Sequence, residues 1–138
     1  MDFSIDAALQ ADHDRLCAFV RDEIVPLEAD RKNYDSYGNI DMAVLQTLRA
    51  KVKAAGLWAP QIPREQGGLG YGPTGMAVLY EAMNYSIFGP VAFNCAAPDD
   101  GNMYILNKVA TQAQKDRWLT PIINGEVRSS FAMTEPAP

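Results

Sequence analysis

The side chains able to do chemistry in this sequence are few. Gly67-Gly68-Leu69-Gly70 has the glycine density of a loop that presents backbone amides to a phosphate. It lacks the lysine and Ser/Thr of a Walker A loop and the order GxGxxG, so a tight structural loop is the expected outcome. Cys17 and Cys95 stand far apart and match no CxxC or Cys/His ligand spacing. Each reads as a small packed side chain, because a nucleophilic thiol needs a base beside it. His13, the single histidine, is flanked by Asp12 and Asp14 and reads as a solvated helix residue, which sets a metal site of the usual kind aside. Tyr80 and Glu81 are too ordinary to carry an assignment. Phe131-Ala132-Met133-Thr134-Glu135-Pro136 is the remaining run of interest. Taken alone, Thr134 is a strand residue whose hydroxyl satisfies a nearby carbonyl.

The elements that must hold these residues are helical. Leu9, Leu16, Phe19, Val20, Ile24 and Leu27 fall mostly three or four apart, which places them on one helix face. Pro26 either kinks that helix or stops it. A turn-forming stretch, Lys32 to Asn39, follows. Asp41 can cap a second helix whose inward face is Met42, Leu45, Leu48, Val52 and Ala55, with Gly56 closing it and Leu57 and Trp58 packing back. Arg49, Lys51 and Lys53 are expected on its solvated face. Met76, Leu79, Tyr80, Met83 and Ile87 predict a third helix that Gly89-Pro90 breaks. Pro98, with Asp99 and Asp100 in the first turn, opens a fourth helix that buries Met103, Leu106 and Ala110. Thr111 and Gln114 form the capping box of a fifth, which buries Trp118, Leu119 and Ile122 and ends at Pro121 and Gly125. Val127 to Thr134 then changes to a strand-like mixture without a partner in the sequence. The expected fold class is all-α, a bundle of about five helices ending in the first strand of a missing β domain. Residues 1–126 form the helical domain and 127–138 the start of a truncated β domain.

Composition excludes several functions. The chain has 138 residues, 48% apolar and 21% charged, and a formal charge of -5 from 17 acidic and 12 basic residues. That is an ordinary globular balance with dispersed acids, and nucleic-acid binding, which needs clustered Lys and Arg, is not expected. Met1 to Asp6 carry neither a basic nor an apolar leader segment, and no stretch is long enough to span a bilayer. A soluble protein of a reducing compartment, bacterial cytoplasm or an organelle matrix, is expected, with no membrane insertion.

The closing hexapeptide, preceded by Lys115-x-x-Trp118-Leu119-x-Pro121-x-x-x-Gly125, closely resembles the flavin-binding signature of acyl-CoA dehydrogenases. Pro63-x-Glu65-x-Gly67-Gly68-Leu69-Gly70 resembles the loop after that family's second helix. Asn94-Cys95-Ala96-Ala97-Pro98-Asp99-x-Gly101-Asn102-Met103 resembles a subgroup acting on long or modified acyl chains. These landmarks run from about Asp12 to the last residue in family order. The resemblance implies FAD as cofactor, with Phe131 flanking the isoalloxazine, Met133 offering main-chain contacts to its pyrimidine edge, and Thr134 donating through hydroxyl and amide. Donors near N1 and O2 would stabilise the charge that builds as the flavin takes a hydride. It implies an acyl-CoA thioester as substrate and the trans-2-enoyl-CoA as product. The apolar helix stripes would then wall the acyl chain. Glu135 and Pro136 would shape the next turn, while Arg128, Ser129 and Ser130 enter the strand without a defined role.

The signature's usual continuation, the middle β domain and the carboxy-terminal bundle with its catalytic glutamate have no counterpart in this sequence. Glu65, Glu81 and Glu135 do not match that glutamate's position, and no catalytic residue is assigned. The chain is therefore expected to be inactive alone, and FAD binding is expected of the full-length family and not of this segment by itself. Uncovered apolar faces imply a homo-oligomer. The competing reading is a non-catalytic helical binding or oligomerisation module.

Overall fold

A computed structural model describes residues 4–135, in which every regular element is a helix. Helix α1, Ala7–Phe19, is capped by the Asp6 carboxylate, which accepts from the amides of Ala8 and Leu9 at 3.0 and 2.9 Å. It runs without a break into a π-helical turn, Val20–Ile24, and a 3₁₀ turn, Val25–Ala29. Pro26 causes the change: it has no amide to donate and its ring crowds the carbonyl one turn back, so the winding loosens before it and tightens after it. Helix α2 is Met42–Ala54, α3 is Pro73–Met83, α4 is the short Gly89–Ala92 and α5 is Asp99–Val109. The last helix, α6, begins at Gln112–Gln114, loosens to a π-turn over Lys115–Leu119 and resumes as Thr120–Ile123. Pro121 stands two residues past that π-turn, as Pro26 does past the first, and the helix absorbs it instead of ending there.

Local signals operate as the residues dictate. Asp41 accepts from the Ala43 and Val44 amides. The capping box between Thr111 and Gln114 is complete. Helix α2 closes with Gly56 in the left-handed conformation, its amide donating to Lys53 O and that of Leu57 to Val52 O. Leu57 and Trp58 are buried there. Helix α1 packs on α3, α2 on α4, and α6 on α5. Leu16, Leu45, Leu79, Phe93 and Met103 fill the shared core. Among the described residues no helix is long and apolar enough to cross a membrane.

Several sequence expectations need correction. Helix α3 stops at Met83, and Ile87 is exposed. Gly89-Pro90 opens a new helix, with Pro90 in a first turn where an amide has no intrahelical partner to lose. Met42 and Trp118 face outward, whereas Arg49, expected beside Lys51 and Lys53 on the solvated face, is 5% exposed while those two lysines are exposed. His13 is half-buried, 3.3 Å from the Asp14 carboxylate. Residues 127–135 lie outside any helix, and the only β pairing among the described residues is a bridge between Tyr34 and Ile40. A strand ladder needs a second strand, which these residues do not provide. Pro136, read as the end of the strand, lies outside the described residues, as do Ala137 and Pro138.

The glycine loop is a packing device. The amides of Gly67, Gly68 and Gly70 donate to Arg64 O, Pro63 O and Ile62 O, so they are spent within the loop and do not converge on a phosphate site. A Cβ on Gly68 would stand 2.1 Å from Ile62 O and 2.4 Å from Ala59 O. Gly68→Ala is therefore expected to destabilise the protein by about 2 kcal/mol or more, since backbone must move to admit it. Urea unfolding of the variant checks this, and an unchanged midpoint would contradict it.

Candidate functional site

The exit from α6 into the tail is where the described side chains converge. A helix ends with carbonyls that have no intrahelical donor. Here the amides of Asn124, Glu126 and Gly125 meet the carbonyls of Thr120, Pro121 and Ile122, and side chains from elsewhere in the chain take the carbonyls from Ile122 to Gly125. Asn94 Nδ2 donates to Ile122 O at 3.0 Å and to Ile123 O at 3.3 Å, and Trp58 Nε1 donates to Ile123 O at 2.9 Å. Lys53 Nζ reaches Asn124 O at 2.6 Å and Arg49 Nη1 reaches Gly125 O at 3.4 Å. Two of the four donors are cations at the negative end of a helix dipole. The Arg49 guanidinium also donates through Nε and Nη2 to Val91 O at 3.3 and 3.1 Å, and lies over the Trp58 ring at 5.6 Å. Burial pushes Arg49 below its usual value, with Arg128 adding repulsion and Asp99 opposing both. Asn94 has φ +62°, a left-handed conformation that asparagine tolerates better than most residues.

Three residues beyond Gly125 the tail is gripped again. Asp99, 2% exposed at the start of α5, accepts from Arg128 Nε at 2.9 Å, from the Ser129 amide at 2.6 Å and from Ser129 Oγ at 2.7 Å. Asn102 Nδ2 completes the group by donating to Ser129 Oγ at 2.8 Å. Burial alone would raise the Asp99 carboxyl, but the Ser129 and Arg128 hydrogen bonds outweigh it and hold the group below its usual value. Arg128 and Ser129 thus acquire a role that their sequence context did not suggest.

Past this grip the constraints stop. Phe131, Met133 and Thr134 lie outside any helix and are exposed, the first two by 63% and 79%. Ser130 to Thr134 make no hydrogen bond to any other described residue. An open cleft of about 660 Å³ runs beside them, lined by Pro98, Gly101, Arg128, Ser129 and Phe131. A second cleft of about 460 Å³ lies between the glycine loop region and α5, lined by Ile62, Met76 and Met103 with Gln61, Asp100 and Asn107. At its edge Tyr80 donates to Cys95 O at 2.7 Å, and burial raises both the Tyr80 phenol and the Cys95 thiol, which leaves Cys95 a packing residue. Burial also raises the Asp100 carboxyl. Glu65, Glu81 and Glu135 are exposed and lie in separate parts of the chain.

A family model for the acyl-CoA dehydrogenase N-terminal domain matches residues 8–126. The chain belongs to the acyl-CoA dehydrogenase family. It is 38% identical, over 99% of its own length, to the Mycobacterium tuberculosis protein named "Probable acyl-CoA dehydrogenase FadE2". It is 35% identical over 96% of its length to mouse acyl-CoA dehydrogenase family member 10. The solved chain described as "Structure of a putative acyl-CoA dehydrogenase from Mycobacterium abscessus" superposes over 97% of this chain with a TM-score of 0.82 and 34% identity. The matches cover 34%, 13% and 36% of those three proteins respectively, so this chain spans about a third of their length or less. The all-α architecture agrees with the matched domain.

Asn94, Asp99 and Asn102 stand in the sequence as part of a run that resembles the family, and nothing there announces their hold, or that of Arg49, on the α6 exit and the tail. Asp99 carried a signal of a different kind, a negative charge at a helix start, and only the fold shows that it also faces the tail. Two outcomes follow. Arg49→Leu is expected to cost about 1–3 kcal/mol, because it leaves Val91 O and Gly125 O without their donor; chemical denaturation measures it. For Asp99, whose folded pKa is depressed, the stabilisation is present above the usual aspartate value of about 4 and disappears as pH falls through the lower folded value. The difference in thermal midpoint between the wild type and Asp99→Asn should be constant near neutrality and shrink below about pH 4; a gap independent of pH would contradict the assignment.

Proposed function

We propose that this chain supplies the helical amino-terminal part of an FAD-dependent enzyme that desaturates acyl-CoA thioesters between the α and β carbons. The observation that carries this reading is the contrast near the end of the chain: a firmly anchored Ser129 followed at once by five residues whose polar groups have no hydrogen-bond partner among the described residues. Exposed to water, such a stretch can turn its groups to a ligand without giving up a hydrogen bond to another described residue. An isoalloxazine ring presents carbonyl and ring-nitrogen acceptors along one edge and a flat aromatic face. The Thr134 hydroxyl and amide, the Met133 main chain and the exposed Phe131 ring match those needs in kind. FAD, when bound, supplies the hydride acceptor. Thr134 would stabilise the negative charge of the reduced ring, and Phe131 would shield one side of it. Residues 127–138 would open the β domain that follows in the family.

The cleft between the glycine loop and α5 fits the wall of an acyl-chain site. It is mostly apolar near Ile62, Met76 and Met103, in keeping with pockets that take aliphatic groups. None of this chain's carboxylates is assigned as the base. The exposed side of α5, with Tyr104, Ile105 and Val109 at 66%, 51% and 77%, favours contact with further protein, either another domain or a second subunit of a homo-oligomer.

The longest natural protein containing this segment tests the proposal. It should purify with FAD, and its visible flavin absorbance should bleach on anaerobic addition of a saturated acyl-CoA. Thr134→Val should slow that bleaching by roughly tenfold to a hundredfold. FAD that no saturated acyl-CoA of any chain length reduces would reject the activity.

A further inference from the structure

We infer that Asp99 is a positioning residue that sets the register of the cofactor-facing segment 130–134 against the helical domain. The use of that register rests on the function proposed above; the grip itself does not. The tail leaves α6 at Gly125, whose carbonyl is held by Arg49. If that were the only hold, Ser130 to Thr134 would swing about a hinge of several residues. Asp99 removes the freedom. Its Oδ1 takes both the main-chain and the side-chain donor of Ser129, which fixes one residue in orientation as well as place. Its Oδ2 takes Arg128 Nε, so the neighbouring residue cannot rotate independently. Asn102, one turn further along α5, holds Ser129 Oγ from the other side. Phe131 stands two residues beyond this point and Thr134 five.

The carboxylate is suited to the task by chemistry. Burial makes its oxygens expensive to leave unpaired, and every donor it meets among these residues comes from the tail. An amide in its place could still accept from Ser129, but it would turn an NH₂ group toward Arg128, donor against donor. Asp99 touches no reacting atom in this scheme; it acts through Ser129.

The test combines two readouts on Asp99→Asn, with Ser129→Ala and Arg128→Gln as independent ways of loosening the same grip and Asp116→Asn as a charge control on the exposed side of α6. The first is amide hydrogen exchange without added cofactor. Exchange at the Ser129 amide should accelerate roughly tenfold to a hundredfold in Asp99→Asn, and less in the other two, while α1, α2 and α3 lose no more protection than the shift in thermal midpoint accounts for. A merely structural role would loosen the helices as much as the Ser129 amide, and that result, or an unchanged Ser129 amide, overturns the inference. The second readout is flavin fluorescence on titration with FAD, using the longest natural protein. Affinity should fall about tenfold or more in Asp99→Asn and stay unchanged in Asp116→Asn. Wild-type protein that ignores FAD would remove the cofactor reading, whereas the exchange result would still decide whether Asp99 sets the register.

Discussion

Everything near the chain's exit depends on how the last helix ends. The free carbonyls of α6 face the body of the protein, where water cannot reach them all, and each must meet a donor. Asn94, Trp58, Lys53 and Arg49 provide those donors from distant parts of the sequence. The consequence is coupling. Helix α2, the Trp58 turn and the segment after α4 cannot shift without releasing the end of α6. The direction in which the tail departs is thereby tied to the packing of the whole bundle. A buried arginine without a carboxylate hydrogen-bonded to it is costly to place. Here its five-donor fork is matched to two carbonyls, and its flat face rests on the indole of Trp58.

The two prolines inside helices show a related economy. Pro26 and Pro121 would ordinarily end a helix. In both cases the turn before the proline widens to π winding and the chain continues. Without that adjustment α6 would stop short of Ile122 and Ile123, which are buried core residues as well as the carriers of the carbonyls just described. The winding defect therefore keeps the exit in the place where its four donors can reach it.

Much of this architecture was legible in the sequence, because it is encoded locally. The caps at Asp41 and Thr111, the left-handed stop at Gly56 and the three-and-four spacing of α1 and α2 each involve residues a few positions apart. What could not be read was long-range. Arg49 looks like one of three cations on a wet helix face until Val91, Gly125 and Trp58 arrive around it. Asp99 is legible as a helix-start charge, but its partnership with Arg128 and Ser129 spans about thirty residues and has no periodicity to announce it. The signature run from Phe131 to Thr134 was found by resemblance alone, for its groups have no partner among the described residues from which chemistry could be inferred.

Asn94 shows how strongly one position can be specified. Its backbone lies where a side chain normally collides with its own carbonyl, and its amide nitrogen serves Ile122 and Ile123 at once. Glycine would relax the first demand and abandon the second. Aspartate keeps the shape yet sets an acceptor against two acceptors, and glutamine brings the donor on an arm one methylene too long. Stereochemistry and hydrogen-bond polarity together thus favour asparagine over each of these three at this corner.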